Sequence, residues 1–274
     1  MIVKALAENT SVSEDLGCEH GLSLYIETEK HKILFDTGES ALFAKNALMM
    51  DVDLTKVDIA FISHGHYDHG GGLKTFLSLN DQAIVYISSR AFDRYYADFG
   101  DKGVKYIGLS QELLNLNRFV YVDDRLTIDD ELALFSGVKH KKLNPTGNAD
   151  LLKQSGTGYE RDDFTHEQNL VIRGNDKTIL LSGCSHCGIV NILEHFRRLT
   201  GRYPDTVIGG FHLYNPARDV SENPEMVREI AGFLQKTKAR FHTCHCTGIE
   251  SYQRLKEIMG DQVSYLSGGQ TLQI

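Results

Sequence analysis

Apolar and polar positions alternate in the first 36 residues. Leu22-Ser23-Leu24-Tyr25-Ile26-Glu27 predicts a strand, Glu29-Lys30 a turn, and Lys32-Ile33-Leu34-Phe35-Asp36 a second strand. The N-terminal stretch Met1-Ile2-Val3-Lys4-Ala5-Leu6-Ala7-Glu8 reads as an earlier strand of the same meander. Residues 41–50 have the spacing of a short helix. The apolar run Val57-Asp58-Ile59-Ala60-Phe61-Ile62 then has the pattern of a strand buried on both faces. Residues 73–79 predict a helix and 83–87 a strand. Residues 90–118 are mixed in pattern and are expected to be partly helical. Residues 119–122 and 132–135 predict strands, and 140–165 a long polar connection of the kind that is usually functional.

The second half repeats the alternation of strand and helix. Asn169-Leu170-Val171-Ile172-Arg173, a Gly174-Asn175 turn and Thr178-Ile179-Leu180-Leu181-Ser182 predict a hairpin. Ile189, Ile192, Leu193 and Phe196 have helical spacing. Residues 206–208 predict a strand, Asn223 caps a helix that begins at Pro224, residues 240–243 form a strand and 248–259 a helix. This order predicts an α/β (α+β) domain over residues 1–274. Its two αβ halves, about 1–139 and 166–274, pack sheet against sheet and are joined by the loop-rich segment 140–165.

Composition changes this picture in one respect. The chain is 41% hydrophobic and 24% charged, which excludes a disordered or fibrous polypeptide. Its 12 histidines are about twice the ordinary share. Histidine is the commonest metal ligand, so metal chemistry is raised by composition alone. The formal net charge of −8 argues against non-specific nucleic-acid binding and leaves a small anionic substrate as the expected partner. No window approaches a membrane span, and the N-terminus lacks a signal-peptide pattern, so a cytoplasmic location is expected. Oligomeric state is not legible. The five cysteines suit a reducing compartment, not a disulfide framework.

The strongest chemical signal is His64-x-His66-x-Asp68-His69, which follows a buried strand. Alternate residues of an extended loop point the same way, so His64 and His66 can share one cation. Asp68 and His69 can face a second. Such nitrogen and oxygen donors suit zinc, with iron or manganese as alternatives. Two further strands end in His-bearing loops, at Ser182 and Thr243, and ligands of such sheets sit beyond the strands' carboxyl ends. Cys184/Cys187 and Cys244/Cys246 form two close pairs, which raises a rival reading: a structural zinc protein built on four thiolates. His242 reads as structural. His20, His31, His140 and His195 read as surface or packing residues.

In order along the chain, Phe35-Asp36-Thr37-Gly38, Ser63-His64-Gly65-His66-Tyr67-Asp68-His69-Gly70-Gly71, Ser182-Gly183-Cys184 and a late His-bearing loop resemble the metallo-β-lactamase superfamily. Gly183-Cys184-Ser185-His186-Cys187-Gly188, Gly209-Gly210-Phe211-His212-Leu213 and His245-Cys246-Thr247-Gly248 look like one subgroup. It includes an archaeal synthase that joins a dihydropterin methyl diphosphate to a ribofuranosyl-aminobenzene phosphate.

The resemblance implies a four-layer αββα sandwich of two mixed sheets with two divalent ions at its edge. It places His64 and His66 on the first metal, and Asp68, His69 and His245 on the second. Cys184 stands where many relatives carry a bridging Asp, and could bridge as a thiolate. The third ligand of the first metal is His186 or His166, with His186 favoured by its setting. Asp36 would orient metal ligands, or simply cap a turn; His212 would touch substrate. The implied activity is metal-dependent hydrolysis of a phosphoester, ester or lactone, with Asp68 orienting the attacking water. Displacement of diphosphate by a carbon or nitrogen nucleophile is the transfer alternative.

Overall fold

The computed structural model describes residues 1–114, 116–174 and 176–274. Two seven-stranded sheets form its centre. The first runs, in spatial order, Thr271–Gln273, Ile2–Ala7, Ser23–Glu27, Lys32–Phe35, Ile59–Ile62, Ile84–Ser88 and Phe119–Val122. The second runs Val263–Tyr265, Arg240–Thr243, Thr206–Gly209, Lys177–Leu181, Asn169–Gly174, Leu132–Phe135 and Arg125–Thr127. Both are mixed, with antiparallel meanders leading into parallel strands.

The period-2 alternation of each strand decides what it packs against. Ile59 and Phe61 face the second sheet, while Ala60 and Ile62 face the helices Leu42–Met49 and Leu73–Leu79. In the second sheet Ile179 and Leu181 meet the first sheet. Leu180 turns to the helices Ile189–Thr200, Pro224–Thr237 and Ile249–Met259. Three apolar layers therefore separate four layers of structure, the αββα sandwich. The helix at Pro224–Thr237 begins as its sequence requires. The Asn223 side chain accepts from the Glu225 N–H at 2.8 Å, and Pro224 needs no partner at the first position. The expected hairpin pairs Asn169–Gly174 with Lys177–Leu181; Asn175 of its turn lies outside the described residues.

Two expectations need correction. Residues 90–118 hold no α-helix among the described residues, only single 3-10 turns at Gly100–Lys102 and Gln111–Leu113. The segment 140–165 is not simply a polar connection. Tyr95–Asp98, Val104–Tyr106, Leu151–Ser155 and Gly158–Arg161 form a four-stranded antiparallel sheet. It stands beside the open edge of the sandwich and supplies one wall of the cleft described below. Among the described residues no helix is long and apolar enough to cross a membrane.

At the opposite edge His31 ties the two sheets together. Its Nδ1 lies 2.9 Å from Asp58 Oδ2 and its Nε2 2.7 Å from Asp129 Oδ2. Two carboxylates on one ring favour the imidazolium. Burial opposes that charge, but the two partners outweigh it and raise His31 above its ordinary value. A raised folded-state value means the contribution is complete below the unfolded value, near 6.5, and is lost as pH rises through the folded one. The stability difference between wild type and His31→Leu is therefore expected to be larger at pH 6 than at pH 9. Urea unfolding at the two pH values measures it; an equal difference would contradict the imidazolium bridge.

Candidate metal centre

Each candidate ligand sits just beyond a strand end. The loop after Ile59–Ile62 carries His64, His66, Asp68 and His69. The loop after Lys177–Leu181 carries Cys184 and His186, and the one after Arg240–Thr243 carries His245. Within the second sheet the strands Lys177–Leu181, Thr206–Gly209 and Arg240–Thr243 are parallel neighbours, so their loops emerge side by side. Several site residues take left-handed backbone: Asp36 (φ 59°), Ser185 (58°), His212 (48°) and His245 (50°). Non-glycine residues persist there only where surroundings over-determine them.

Buried carboxylates hold two of these loops from behind. Glu167 accepts from the backbone N–H of His186 at 2.5 Å and of Cys187 at 3.0 Å. Glu8 accepts from the His245 N–H at 2.6 Å and the Tyr265 hydroxyl at 2.7 Å. The first loop is pressed onto the backbone of residues 91–95. A Cβ on Gly65 would lie 2.3 Å from the Ala91 carbonyl oxygen and 2.7 Å from the Tyr95 ring. Gly65→Ala is expected to cost about 1–3 kcal/mol in denaturant unfolding; an unchanged midpoint would show that the loop yields freely.

The hydrogen bonds orient four imidazoles the same way. Ser63 Oγ donates to Asp36 Oδ2 at 2.7 Å and so accepts from His64 Nδ1 at 2.9 Å. His69 Nδ1 donates to Asp36 Oδ2 at 2.7 Å. Asn148 donates from its amide to the His186 carbonyl at 2.7 Å, so its Oδ1 accepts from His186 Nδ1 at 3.1 Å. Asn9 Oδ1, which also accepts from Gly21 N–H, takes His245 Nδ1 at 2.7 Å. In every case the Nδ1–H is held on the outside and the Nε2 lone pair points inward, the arrangement of metal-ligating histidines.

Those inward atoms converge on Cys184. His69 Nε2 lies 3.1 Å from Cys184 Sγ and 3.2 Å from His245 Nε2, which is 3.1 Å from Asp68 Oδ2. One group of donors, Asp68, His69, Cys184 and His245, lies within 4.8 Å of one another, and so does a second, His64, Cys184 and His186. Cys184 belongs to both. His66 stands beside the second group, its ring centroid 4.6 Å from that of His64 and 4.9 Å from that of His186.

The Nε2 atoms of His64, His66 and His186 are buried without a hydrogen-bond partner. An unpaired buried polar atom costs about 1–3 kcal/mol, and three in one place call for a cation. Two acceptor nitrogens 3.2 Å apart, on His69 and His245, make the same demand. These donors fit divalent metal ions.

Electrostatics agree. Burial and the neighbouring rings push His64 and His186 well below their ordinary values, which keeps both as neutral donors. Burial takes His245 down to about 3. His69 differs: burial disfavours its charge, but Asp36 and Asp68 outweigh it and raise the ring. Burial works against the Asp68 carboxylate too, yet His69, His20 and His245 hold it well below the usual range. Burial pushes the Cys184 thiol up, and a bound cation is what would make it a thiolate.

His166 does not join the inward set. Its Nδ1 accepts from the Gly65 N–H at 2.8 Å, its Nε2 meets Asp162 Oδ2 at 3.0 Å, and its ring stacks on Tyr95 at 4.0 Å. Both nitrogens are occupied, so it stands behind His66 as a support. The four-cysteine zinc reading does not assemble either. Cys187 packs in the helix-facing core and Cys244 between the sheets, and among the described residues neither belongs to a metal-sized donor group. The cysteines are free thiols.

Sequence reasoning passed over Asn9, Asn148, Asp162 and Glu167, which orient ligands from distant loops and carry no local motif. It also read His20 as peripheral. Its Nε2 lies 3.3 Å from Asp68 Oδ2 at the rim of the cleft.

A cleft opens over the donors. Its floor is His66, Asp68, Cys184, His186, His212 and His245; Phe99, Ile107 and Leu151 give it an apolar wall. The mixture of polar floor and apolar wall suits a small molecule.

The family model of the metallo-beta-lactamase superfamily matches residues 16–148, which include the His64–His69 loop. A solved structure of a metal-dependent hydrolase of the beta-lactamase superfamily, Tm1679, superposes with a TM-score of 0.84 and 28% identity over 100% of this chain and 99% of that one. The chain has the metallo-β-lactamase fold, and its residues 16–148 match that superfamily. Two proteins of Methanocaldococcus jannaschii extend the likeness along nearly its whole length. An uncharacterised protein, MJ0448, is 27% identical over 94% of each chain. The 7,8-dihydropterin-6-methyl-4-(beta-D-ribofuranosyl)-aminobenzene-5'-phosphate synthase is 27% identical over 93% of this chain and 90% of its own. These relatives agree with the subgroup that the Gly183–Gly188 and His245–Gly248 motifs suggest. The metallo-β-lactamase sandwich thus carries its donors at the sheet edge, around a cysteine.

Proposed function

We propose that this chain is a metal-dependent hydrolase that acts on a phosphoester, ester or lactone bond of a small anionic substrate, with two divalent ions at the His64–His245 site. The observation that carries the reading is the pair of buried, unpartnered Nε2 atoms on His64 and His186 beside Cys184, next to the Asp68, His69 and His245 donors. His64, His66 and His186 would hold one ion, and Asp68, His69 and His245 the other, with Cys184 between them. Zinc suits this donor set, and iron or manganese remain alternatives. Bound there, such ions supply hydroxide near neutral pH and offset developing negative charge.

The protein's own part is positional. Asp36, Asn148, Asn9 and Ser63 fix the ring tautomers. Asp68 is held as a carboxylate at the cleft floor, where it would accept a hydrogen bond from a water and align it with the substrate. The apolar wall excludes bulk water from one side. Substrate charge would be met by the ions, since Asp150 and Asp98 already engage the nearby Arg218.

Transfer is the second reading, favoured by the 27% identity to the synthase. A cytoplasmic setting belongs to the same proposal. The zinc-loaded chain should turn over bis(p-nitrophenyl) phosphate, an aryl ester or a lactone without an acceptor. Turnover only when a pterin diphosphate and an arylamine are both supplied would replace hydrolysis by transfer.

A further inference from the structure

We propose that Cys184, His212 and Cys246 form a third cation position, suited to a thiophilic ion such as cadmium, zinc or copper(I), in the floor of the same cleft. The hydrolase reading needs neither His212 nor Cys246, so the proposal goes beyond it and shares only Cys184 with it.

The three residues come from three adjacent strand ends: those of Lys177–Leu181, Thr206–Gly209 and Arg240–Thr243. Their donor atoms lie within 4.8 Å of one another, and all three side chains are buried. His212 points to a ligand by itself. Both of its ring nitrogens are buried without a partner, although its backbone is bent to φ 48° to place it there. A core histidine would satisfy at least one nitrogen. Its ring packs against His186 at 4.3 Å.

Cys246 is placed with equal care. Its sulfur accepts from the His212 backbone N–H at 3.3 Å and lies 3.5 Å from the Cys184 carbonyl oxygen. Gly210 leaves it room: a Cβ there would sit 2.5 Å from that sulfur. Two sulfurs and one imidazole form a soft donor set, which selects zinc, cadmium or copper(I) over magnesium or calcium. All three residues line the cleft, so a fourth position faces substrate or water, as in open zinc sites.

The test is a titration of the metal-free full-length chain with cadmium chloride. Bound ions are counted by equilibrium dialysis, and thiolate-to-cadmium absorption is read in the ultraviolet. Cys246→Ser and His212→Gln are each expected to lose one tight equivalent, with affinity at that position weakened by more than about 100-fold, beyond a merely supporting residue's usual effect. Cys246→Ser should also lose about half the thiolate absorption, because one of two sulfurs is gone. Cys187→Ser, a buried thiol outside the position, should change neither. Should Cys246→Ser not fold, His212→Gln carries the test alone, since the His212 ring makes no hydrogen bond among the described residues.

Unchanged ion count and absorption in the folded variants would overturn the proposal. So would a Cys184–Cys246 disulfide that, once reduced, restores two thiols but no cadmium uptake. The hydrolase reading fails separately: a double variant His64→Ala, His66→Ala that keeps full phosphodiester turnover would sink it and leave this position standing.

Discussion

His69→Ala is expected to cut metal-dependent turnover of bis(p-nitrophenyl) phosphate by about 1000-fold and to destabilise the chain by about 3–5 kcal/mol. His69 joins both halves of the site. Its Nε2 faces Cys184 and His245, and its Nδ1 answers the Asp36 carboxylate. Removing it takes away a proposed ligand and leaves Asp36 fully buried, with only the Ser63 hydroxyl and N–H for company. A buried carboxylate stripped of its partner is what makes such losses large. Asp36→Asn separates the two effects: the ligand stays while its orientation loosens, and a loss of about 10–100-fold in metal affinity is expected. Metal content, kinetics and urea unfolding of both variants measure this. A His69→Ala protein with wild-type metal content would contradict the ligand role.

The second large effect separates His186 from His166. His186→Ala is expected to lower the affinity for one of the two ions and turnover by more than about 100-fold, since it removes a donor whose Nε2 has no other partner. His166→Ala is expected to keep the ion count. It should cost stability instead, about 1–3 kcal/mol, because Asp162 Oδ2 loses its hydrogen bond and the Gly65 N–H loses its acceptor inside the protein. Elemental analysis beside denaturant unfolding reads the two outcomes apart. If His166→Ala loses an ion and His186→Ala does not, their assignments must be exchanged.

The sandwich was legible because its strands are buried on both faces and its helices are amphipathic. The apolar run at Ile59–Ile62 and the spacing of Ile189, Ile192, Leu193 and Phe196 state their partners in the sequence itself. The four-stranded sheet was not legible for the opposite reason. Every residue of Val104–Tyr106 and Gly158–Arg161 is exposed, so no alternation marks them. They are held by pairing to Tyr95–Asp98 and Leu151–Ser155, a non-local cause that a local pattern does not carry.

The site divides in the same way. His64, His66, Asp68 and His69 lie within six residues, and their spacing alone announces metal chemistry. The choice between His186 and His166 did not lie in spacing. It turns on which ring nitrogens are already occupied, by a Gly65 N–H 101 residues away in one case and by Asn148 in the other. The four-cysteine site failed on direction: Cys187 and Cys244 neighbour site residues in sequence but point into separate cores.

Anomalous X-ray diffraction from crystals of the zinc-loaded chain, collected at the zinc edge, tests the central claim most directly. Two peaks are expected, one bounded by His64, His66 and His186 and one by Asp68, His69 and His245, with Cys184 between them. Zinc found elsewhere, with the inward faces of His64, His69, His186 and His245 empty, would contradict a dinuclear centre in this cleft.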